Sequence, residues 1–363
     1  MREPPERRRA WPPATLVVVA WQHAWRRLVV ILAWAYPAGL VLVAAFLRFG
    51  SERFWQAELA LYLPRILFAV PLPVLVGLLI KSGRPRLLWT QLVALWVLTF
   101  PLMGLILPSP SHRAPDPARS FTILSYNGNF AWGGQDALLA QVREFDPDVV
   151  IFQQLFYTAQ LTRELKPAYT AVQTDGEFFI ASRYPIRSTR RPDPVMYRGR
   201  SRTPRFVRYE IDTNIGGVAL YNIHPISPRY QIAAARRDGF RHGIASGALT
   251  SLAPRPDIEA DAGLRVLQVS TAARVAERDD LPVVVAGDTN LPGLSPALAY
   301  FTPSFRDGFA EVGSGFGYTF PSDRPWMRID RIFANNRLQF LDFRVGTSQA
   351  SDHLCVFARL VLK

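Results

Sequence analysis

Three long apolar runs in the first third of the chain constrain its fold more than any other feature. Residues 28–47 and 87–107 contain no charged side chain, and residues 59–80 contain only Arg65. At a rise of 1.5 Å per residue, about 20 apolar residues let a helix cross the roughly 30 Å hydrocarbon core of a bilayer. Three prolines would kink the second run, and Arg65 would have to snorkel or pair. We therefore predict three transmembrane helices.

Basic residues flank these runs unevenly. Arg26 and Arg27 directly precede the first run, and further basic residues lie between the second and third, at Lys81, Arg84 and Arg86. Positively charged flanks stay on the cytoplasmic side of a membrane. We therefore predict a multi-pass protein of the cytoplasmic (inner) membrane, with a cytoplasmic segment at residues 1–27 and a membrane domain at 28–107. Everything after Pro108 is then expected outside the cytoplasm.

The pattern changes after the third run. Residues 108–119 contain four prolines and few apolar side chains, which predicts a linker. Residues 120–363 alternate short strand-like runs with helical patterns, and residues 148–152 are apolar enough to indicate a strand buried on both faces. Many strands with few helices favour an α+β domain in which two sheets pack face to face with flanking helices.

Short polar strings border the strand-like runs of this domain. They are Tyr126-Asn127-Gly128-Asn129, Gly287-Asp288-Thr289-Asn290, Arg328-Ile329-Asp330 and Ser351-Asp352-His353. Each string alone is weak evidence, because Gly-Asp-x-Asn, for example, is also a good turn. Gathered at strand ends, however, such side chains suit a hydrated divalent cation and a phosphoryl group.

The residue types in these strings match the needs of phosphate ester hydrolysis: an oriented water, neutralised phosphoryl charge and help for the leaving oxygen. Ionised Asp288 can orient or deprotonate water, and Asn290 can donate to the phosphate. His353, if held by Asp330, would stay protonated and donate to a phosphoryl oxygen. Asp352 offers a hard anionic oxygen suited to Mg²⁺.

The order of these motifs resembles the endonuclease/exonuclease/phosphatase superfamily, the fold of DNase I-like nucleases, sphingomyelinases and inositol-polyphosphate phosphatases. The resemblance covers about residues 120–363. It rests on Asn127 after the first strand, the segment 146–154, Tyr-Asn-Ile-His at His224, Gly-Asp-x-Asn at Asp288 and Asn290, Ile-Asp-x-Ile-Phe at Asp330, and Ser-Asp-His at Asp352 and His353.

The resemblance implies a DNase I-like, four-layer α/β/β/α sandwich, preceded here by three transmembrane helices. It also implies that Asn127, His224, Asn290 and His353 contact the phosphate, with Asp288 and Asp330 completing the catalytic set. The apolar runs ahead of the domain are similar to membrane-bound bacterial members linked to glycopeptide resistance and lipid-pyrophosphate hydrolysis.

Position 154 departs from the family pattern. Gln154 stands where the family carries a metal-binding Glu, and Asn129 stands where some members carry an acidic residue. Gln can lend an oxygen to Mg²⁺ or Mn²⁺ but brings no charge. We therefore expect a metal site of Gln154, Asp352 and Asn129. Three outcomes stay open: a weakened or differently metallated enzyme, a ligand moved to another carboxylate, or a pseudoenzyme that only binds phosphate.

An arginine-rich stretch bears on the substrate. Residues 187–208 contain eight arginines, and Arg forks bind phosphates bidentately. The stretch could clamp a pyrophosphate, lie on anionic lipid, or be a solvated loop. Nucleic acid would use the same patch, but few aromatic side chains stand between these arginines to stack bases.

From these features we predict a membrane-anchored, metal-dependent phosphoric ester or anhydride hydrolase. Its expected substrate is a phosphorylated lipid or lipid-linked pyrophosphate outside the cytoplasm, with the lipid bilayer as a partner. The alternatives are a nuclease of the same superfamily, with nucleic acid as the ligand, and the phosphate-binding pseudoenzyme.

Overall fold

A computed structural model describes residues 14–108, 120–228 and 256–363. The chain forms two compact units, Met1–Ala44 with Arg65–Leu102, and Ala45–Pro64 with Met103–Lys363. Most of the predicted linker and the first 13 residues lie outside the described residues. The predicted boundaries after residues 27, 107 and 119 therefore stay predictions.

The first unit is helical. Its helices are α1 (Ala14–Gly50, whose last residues belong to the second unit), α3 (Pro71–Lys81) and α4 (Leu88–Val97), with a π-helix at Leu98–Leu102. Val29 and Ala33 of α1 pack on Leu79 of α3, and all three side chains are fully buried. Small and branched side chains at this contact let the helices approach closely.

The prediction of three transmembrane helices is wrong. Among the described residues, the single helix long and apolar enough to span a membrane is Trp21–Gly50. The second predicted run divides into Trp55–Leu61 and Arg65–Lys81, which bend by 92° and could form at most one further, broken span. In the third, α4 and the π-helix have 10 and 5 residues, a rise of about 22 Å against a hydrocarbon core of about 30 Å.

The second unit is built on two sheets. The first contains β1 (Ser120–Asn127), β2 (Val149–Gln153), β3 (Ala171–Asp175), β4 (Phe178–Ser182), β13 (Leu338–Val345) and β14 (Val356–Leu362), in the order β13-β14-β1-β2-β4-β3. The second contains β5 (Ile186–Arg190), β8 (Phe206–Thr213), β9 (Gly216–Ile223), β10 (Val283–Asp288), β11 (Phe305–Asp307) and β12 (Asp330–Asn335), in the order β11-β12-β10-β9-β8-β5. A separate hairpin joins β6 (Val195–Tyr197) and β7 (Arg200–Arg202).

Successive buried residues of a strand pack on opposite faces of the sheet, because side chains alternate between the two faces. Ile123, Ile151 and Val284 lie in the cluster between the two sheets, whereas their neighbours Leu124 and Val150 face the opposite side of the first sheet. That outer face is covered by α5 (Gln135–Phe145) and α6 (Ala159–Leu165). The outer face of the second sheet is covered by α7 (Pro256–Glu277). The prediction of two packed sheets with flanking helices is therefore confirmed.

A segment from before the predicted linker is part of this unit. We call Ala45–Pro64 the tether segment; it contains helix α2 (Trp55–Leu61), which packs against α7. Glu58 of α2 forms an ion pair with Arg265 of α7 at 2.5 Å, and both side chains are almost completely buried. Residues 59–64, the beginning of the second apolar run, thus belong to the unit that contains the two sheets.

Candidate active site

The two sheets bring their polar strand ends to one edge. β1 runs parallel to β2 with Asn127 opposite Gln153, and β10 runs parallel to β9, so the carboxyl ends of these strands share an edge. β12 runs antiparallel to β10 and places Asp330 directly opposite Asp288. Asn127, Asp288 and Asp330 are each only 1 % exposed. The strand register thus brings these polar residues together, as expected from the sequence.

His353 and Asp330 form a buried pair. His353 Nδ1 lies 2.9 Å and 3.2 Å from the two carboxylate oxygens of Asp330, and His353 Nε2 lies 3.7 Å from Asp288 Oδ2. Burial opposes charge on the imidazole, but the carboxylates of Asp330 and Asp288 outweigh it and raise the pKa of His353 to about 9. The histidine is thus held as a proton donor directed at the centre of the site.

Asp288 is the centre of the hydrogen-bond network. Asn127 donates from Nδ2 to Asp288 Oδ2 at 2.9 Å, and Asn290 donates from its backbone N–H to Oδ1 at 2.8 Å. The Asn290 side chain adds a longer bond of 3.3 Å to Oδ2. Donors on both oxygens fix the orientation of this carboxylate.

The turn that carries Asp288 and Asn290 depends on its backbone. Gly287 has φ +145°, and a Cβ there would come within 2.0 Å of the Ile223 carbonyl oxygen on β9, so the position requires glycine. Asn290 has φ +50°, and its Nδ2 donates to the Pro225 carbonyl at 3.0 Å. The Tyr62 hydroxyl of the tether segment donates to the Asn290 carbonyl at 2.9 Å, which anchors this left-handed residue.

His224 also has a carboxylate partner, which sequence reasoning missed. Its Nδ1 lies 2.7 Å from Glu177 Oε2, and Arg205 donates two hydrogen bonds to the same carboxylate at 2.7 Å and 2.9 Å. Burial alone would raise the pKa of Glu177, but His224 and Arg205 lower it to about 2. His224 Nε2 then lies 3.7 Å from Asp288 Oδ2. Glu177 lies in the turn between β3 and β4, where no apolar pattern in the sequence marks it.

The expected metal ligands lie on neighbouring loops. Asn129 is buried with φ +42°, Gln154 is half-buried with φ +56°, and Asp352 is half-buried beside His353. The backbone N–H of Phe130 donates to the Gln154 carbonyl at 2.8 Å, which ties the loops after β1 and β2 together. Whether the three oxygen donors bind a metal stays a prediction.

A second group also meets the simplest geometric test for a metal site. Among the described residues, ligand atoms of Asp288, Asp330 and His353 lie within 4.8 Å of one another. The raised pKa of His353 favours a protonated imidazole paired with Asp330. The group therefore fits a proton-sharing network better than a cation site. Gln154, Asp352 and Asn129 present only oxygen donors, which fits a hard cation, although they bring one formal charge.

The arginine-rich stretch does not converge on the site. Arg187 pairs with Asp212, Arg191 with Asp175, and Arg208 with Asp279. Within the described residues, Arg205 is the one arginine of this stretch that is bonded to a residue of the site, through Glu177. Four of the eight arginines of this stretch are thus ion-paired with carboxylates of the same unit.

Fold and site together define a two-sheet sandwich with two histidine–carboxylate pairs and an Asp–Asn turn at one edge. The chain belongs to the Endonuclease/Exonuclease/phosphatase family, which it matches over residues 124–353, more than half of its length. Members of this superfamily are generally metal-dependent phosphoesterases and nucleases. A comparison with curated proteins found no match.

Several solved structures are similar to this chain at low sequence identity. An endonuclease/exonuclease/phosphatase from Beutenbergia cavernae is 16% identical, with a TM-score of 0.46 and coverage of 67% of this chain and 72% of its own. A humanized D. rerio TDP2 is 16% identical, with a TM-score of 0.47 and coverage of 67% and 99%. A variant of the 3′ phosphatase NExo from Neisseria, bound to a product DNA hairpin, is 14% identical, with a TM-score of 0.47 and coverage of 66% and 98%.

Proposed function

We propose that this protein is a membrane-anchored, metal-dependent phosphoesterase that hydrolyses a phosphorylated lipid or a lipid-linked pyrophosphate outside the cytoplasm. The observation that carries the proposal is the buried carboxylate of Asp288. It accepts hydrogen bonds from Asn127 and Asn290 and faces the paired His353–Asp330 at 3.7 Å. Packing alone has no use for such a cluster, because uncompensated burial of charge is costly.

The catalytic roles follow from the donors and acceptors present. Asp288 accepts a proton from a water whose oxygen attacks phosphorus, and the bond from phosphorus to the leaving oxygen breaks. His353, kept protonated by Asp330, donates to a phosphoryl oxygen as charge develops there. Asn127, Asn290 and His224 supply further donors to that group.

The metal would be held by oxygen donors. Gln154, Asp352 and Asn129 would bind Mg²⁺ or Mn²⁺, which when bound neutralises phosphoryl and leaving-group oxygens. Because Gln154 is neutral, we expect weaker binding than at a site with a second carboxylate.

The membrane location rests on the one long apolar helix. Trp21–Gly50 has the required length and hydropathy, and Arg26 and Arg27 lie near its beginning. A single crossing with these arginines on the cytoplasmic side places the second unit outside the cytoplasm. Lipid as substrate follows from this location, since a fixed anchor keeps the site near the bilayer.

The test uses the full chain in detergent with Mg²⁺ or Mn²⁺. A long-chain alkyl diphosphate with a free terminal phosphoryl group, or a phosphatidic acid, should release inorganic phosphate, and Asp288→Ala and His353→Ala should each lower the rate by at least about a hundredfold. The exposed Asp193→Ala is the matched control and should keep full activity. Nicking of supercoiled plasmid without phosphate release from lipid would instead identify a nuclease. Phosphate binding without turnover, even in Gln154→Glu, would identify a pseudoenzyme.

A further inference from the structure

An exposed group of aromatic side chains lies beside the expected metal ligands. We call Phe130, Trp132, Phe156 and Tyr157 the aromatic rim. Trp132 is 85% exposed and Tyr157 is 79% exposed, and the side chains of both phenylalanines are also exposed. Large apolar side chains grouped in solvent are unusual on a monomer and mark a surface that binds something.

The rim is an ordered part of the site. The rings of Phe130 and Phe156 stack with centroids 5.6 Å apart and an interplanar angle of 16°. The backbone of Phe130 is bonded to Gln154, and the Gln135 side chain donates to the Tyr157 carbonyl at 3.0 Å. The rim is therefore held directly at the expected metal ligands.

The backbone at the start of the rim is in the left-handed region. Phe130 and Ala131 have φ values of +59° and +58°, next to Asn129 at +42°. Such residues rarely adopt the left-handed region unless the surrounding structure requires it. Phe130 thus adopts an unfavourable backbone conformation at a position where its ring is exposed to solvent.

Charge indicates what the rim binds. Residues 128–135 and 153–160, the two loops that carry it, contain no Lys, Arg, Asp or Glu. A nucleic-acid strand stacked on aromatic rings needs cations along its backbone, and these loops provide none. An uncharged aromatic surface suits the boundary between head groups and acyl chains, where Trp and Tyr are favoured.

The tether segment reaches the same edge of the sandwich. Arg48, in the last turn of α1, donates to the Ser295 carbonyl at 3.2 Å, and Glu52 accepts from the Ser295 hydroxyl at 2.6 Å. Tyr62 is bonded to Asn290, two residues beyond Asp288. The tether segment is therefore attached to the turn that carries Asp288 and Asn290 and to the loop that follows it.

We propose that the aromatic rim binds the apolar part of an amphiphilic phosphate ester at the bilayer surface, while its phosphate enters the site. The proposal rests on the proposed function and adds the recognition surface. The rim selects substrates that carry an alkyl or polyprenyl chain over small soluble phosphate esters.

The first experiment compares two substrates with the full chain in mixed micelles and Mn²⁺. One is a long-chain phosphatidic acid, and the other is the soluble monoester 4-nitrophenyl phosphate. The double variant Trp132→Ser with Tyr157→Ser should lose at least tenfold in kcat/KM for the amphiphile and less than twofold for the soluble ester. Met196→Ser, which removes an apolar side chain 67% exposed on the β6–β7 hairpin, is the control and should change neither value. Equal losses for both substrates, or none for the amphiphile, would overturn the proposal.

A second measurement does not depend on turnover. In vesicles whose acyl chains carry bromine, Trp132 fluorescence, taken as the difference between the unaltered chain and Trp132→Phe, should be quenched. An unquenched Trp132 would show that the rim does not meet lipid, even if the lipid phosphate is hydrolysed. Conversely, quenching without hydrolysis of any phosphate ester would reject the proposed function and leave the rim as a membrane contact. Binding of single-stranded DNA that the double variant abolishes, with no quenching, would assign the rim to nucleic acid.

Discussion

Two histidines approach the same carboxylate, and each has its own acidic partner. His353 pairs with Asp330, His224 pairs with Glu177, and both Nε2 atoms lie 3.7 Å from Asp288 Oδ2. The outer carboxylates orient the rings so that the inner nitrogens point into the site. Together with Asn127 and Asn290, the two histidines surround the buried Asp288 carboxylate.

At position 154 this chain has a neutral Gln where a charged Glu is expected from its family. Gln154→Glu adds a carboxylate next to Asp352 and should tighten binding of Mn²⁺ about tenfold, as expected for one more charge in a half-buried site. The measurement is the Mn²⁺ concentration that gives half-maximal phosphate release, or direct calorimetric titration. Gln339→Glu on β13 is the control. Unchanged affinity in Gln154→Glu would mean that the cation is held elsewhere.

Glu177 should make the unfolding free energy depend on pH. Its pKa is about 2 in the folded chain against an ordinary value of 4.5, so its stabilisation is present above pH 4.5 and is lost as pH falls towards 2. Replacement by Gln should therefore cost roughly 3 kcal/mol at pH 7 and much less near pH 2. Chemical unfolding of both chains at several pH values measures this, with the exposed Glu164→Gln as control. A difference that stays constant with pH would assign the loss to packing.

At the scale of elements, the sequence predicts the buried strands well and the edge strands poorly. β2 and β10 are recognisable because both of their faces are buried and their residues are almost all apolar. β3 and β5 lie at the edges of the two sheets and carry polar and exposed residues. Edge strands bury little, so alternation is too weak to reveal them.

The same limit applies to contacts between distant elements. Asp288, Asp330 and His353 could be predicted because short motifs mark them, whereas Glu177 is fixed only by the tertiary position of His224. The two ends of the tether segment, residues 45–47 and 59–64, fall within the apolar runs predicted to span the membrane, because apolar residues serve lipid and protein packing equally well. Only the pairing of Glu58 with Arg265, 207 positions away, shows which of the two it serves.

The buried Glu58–Arg265 pair should make α2 necessary to the sandwich. Glu58→Gln leaves a buried guanidinium without its counter-charge, which should cost about 3–5 kcal/mol of unfolding free energy. Replacing both residues, by Glu58→Leu with Arg265→Leu, should recover most of that loss because no buried charge remains. Thermal unfolding of the three chains in detergent measures the effect. If Glu58→Gln were as stable as the unaltered chain, the tether segment would not be an integral part of the unit.

The whole molecule combines a basic, apolar N-terminal part with an enzyme-like sandwich. Composition correctly indicates that the first hundred residues differ from the rest, but it does not reveal the 92° bend or the early end of the third apolar run. Hydropathy measures how apolar a window is, and a helix that packs on protein has the same composition as one that faces lipid. Which of the described helices are long enough to cross a membrane therefore required the coordinates.

The number of crossings decides on which side of the membrane the site lies. One crossing by Trp21–Gly50, with Arg26 and Arg27 inside, puts the second unit outside; a complete second crossing by the bent pair would return it to the cytoplasm. A reporter enzyme that is active only outside the cytoplasm, fused after Lys363, should therefore be active. Arg26→Glu with Arg27→Glu should lower that activity severalfold, because the charge bias that retains the N-terminus is lost, while Arg324→Glu in the sandwich should leave it unchanged. Reporter activity confined to the cytoplasm would rule out hydrolysis of an extracytoplasmic lipid pyrophosphate, whatever the site catalyses.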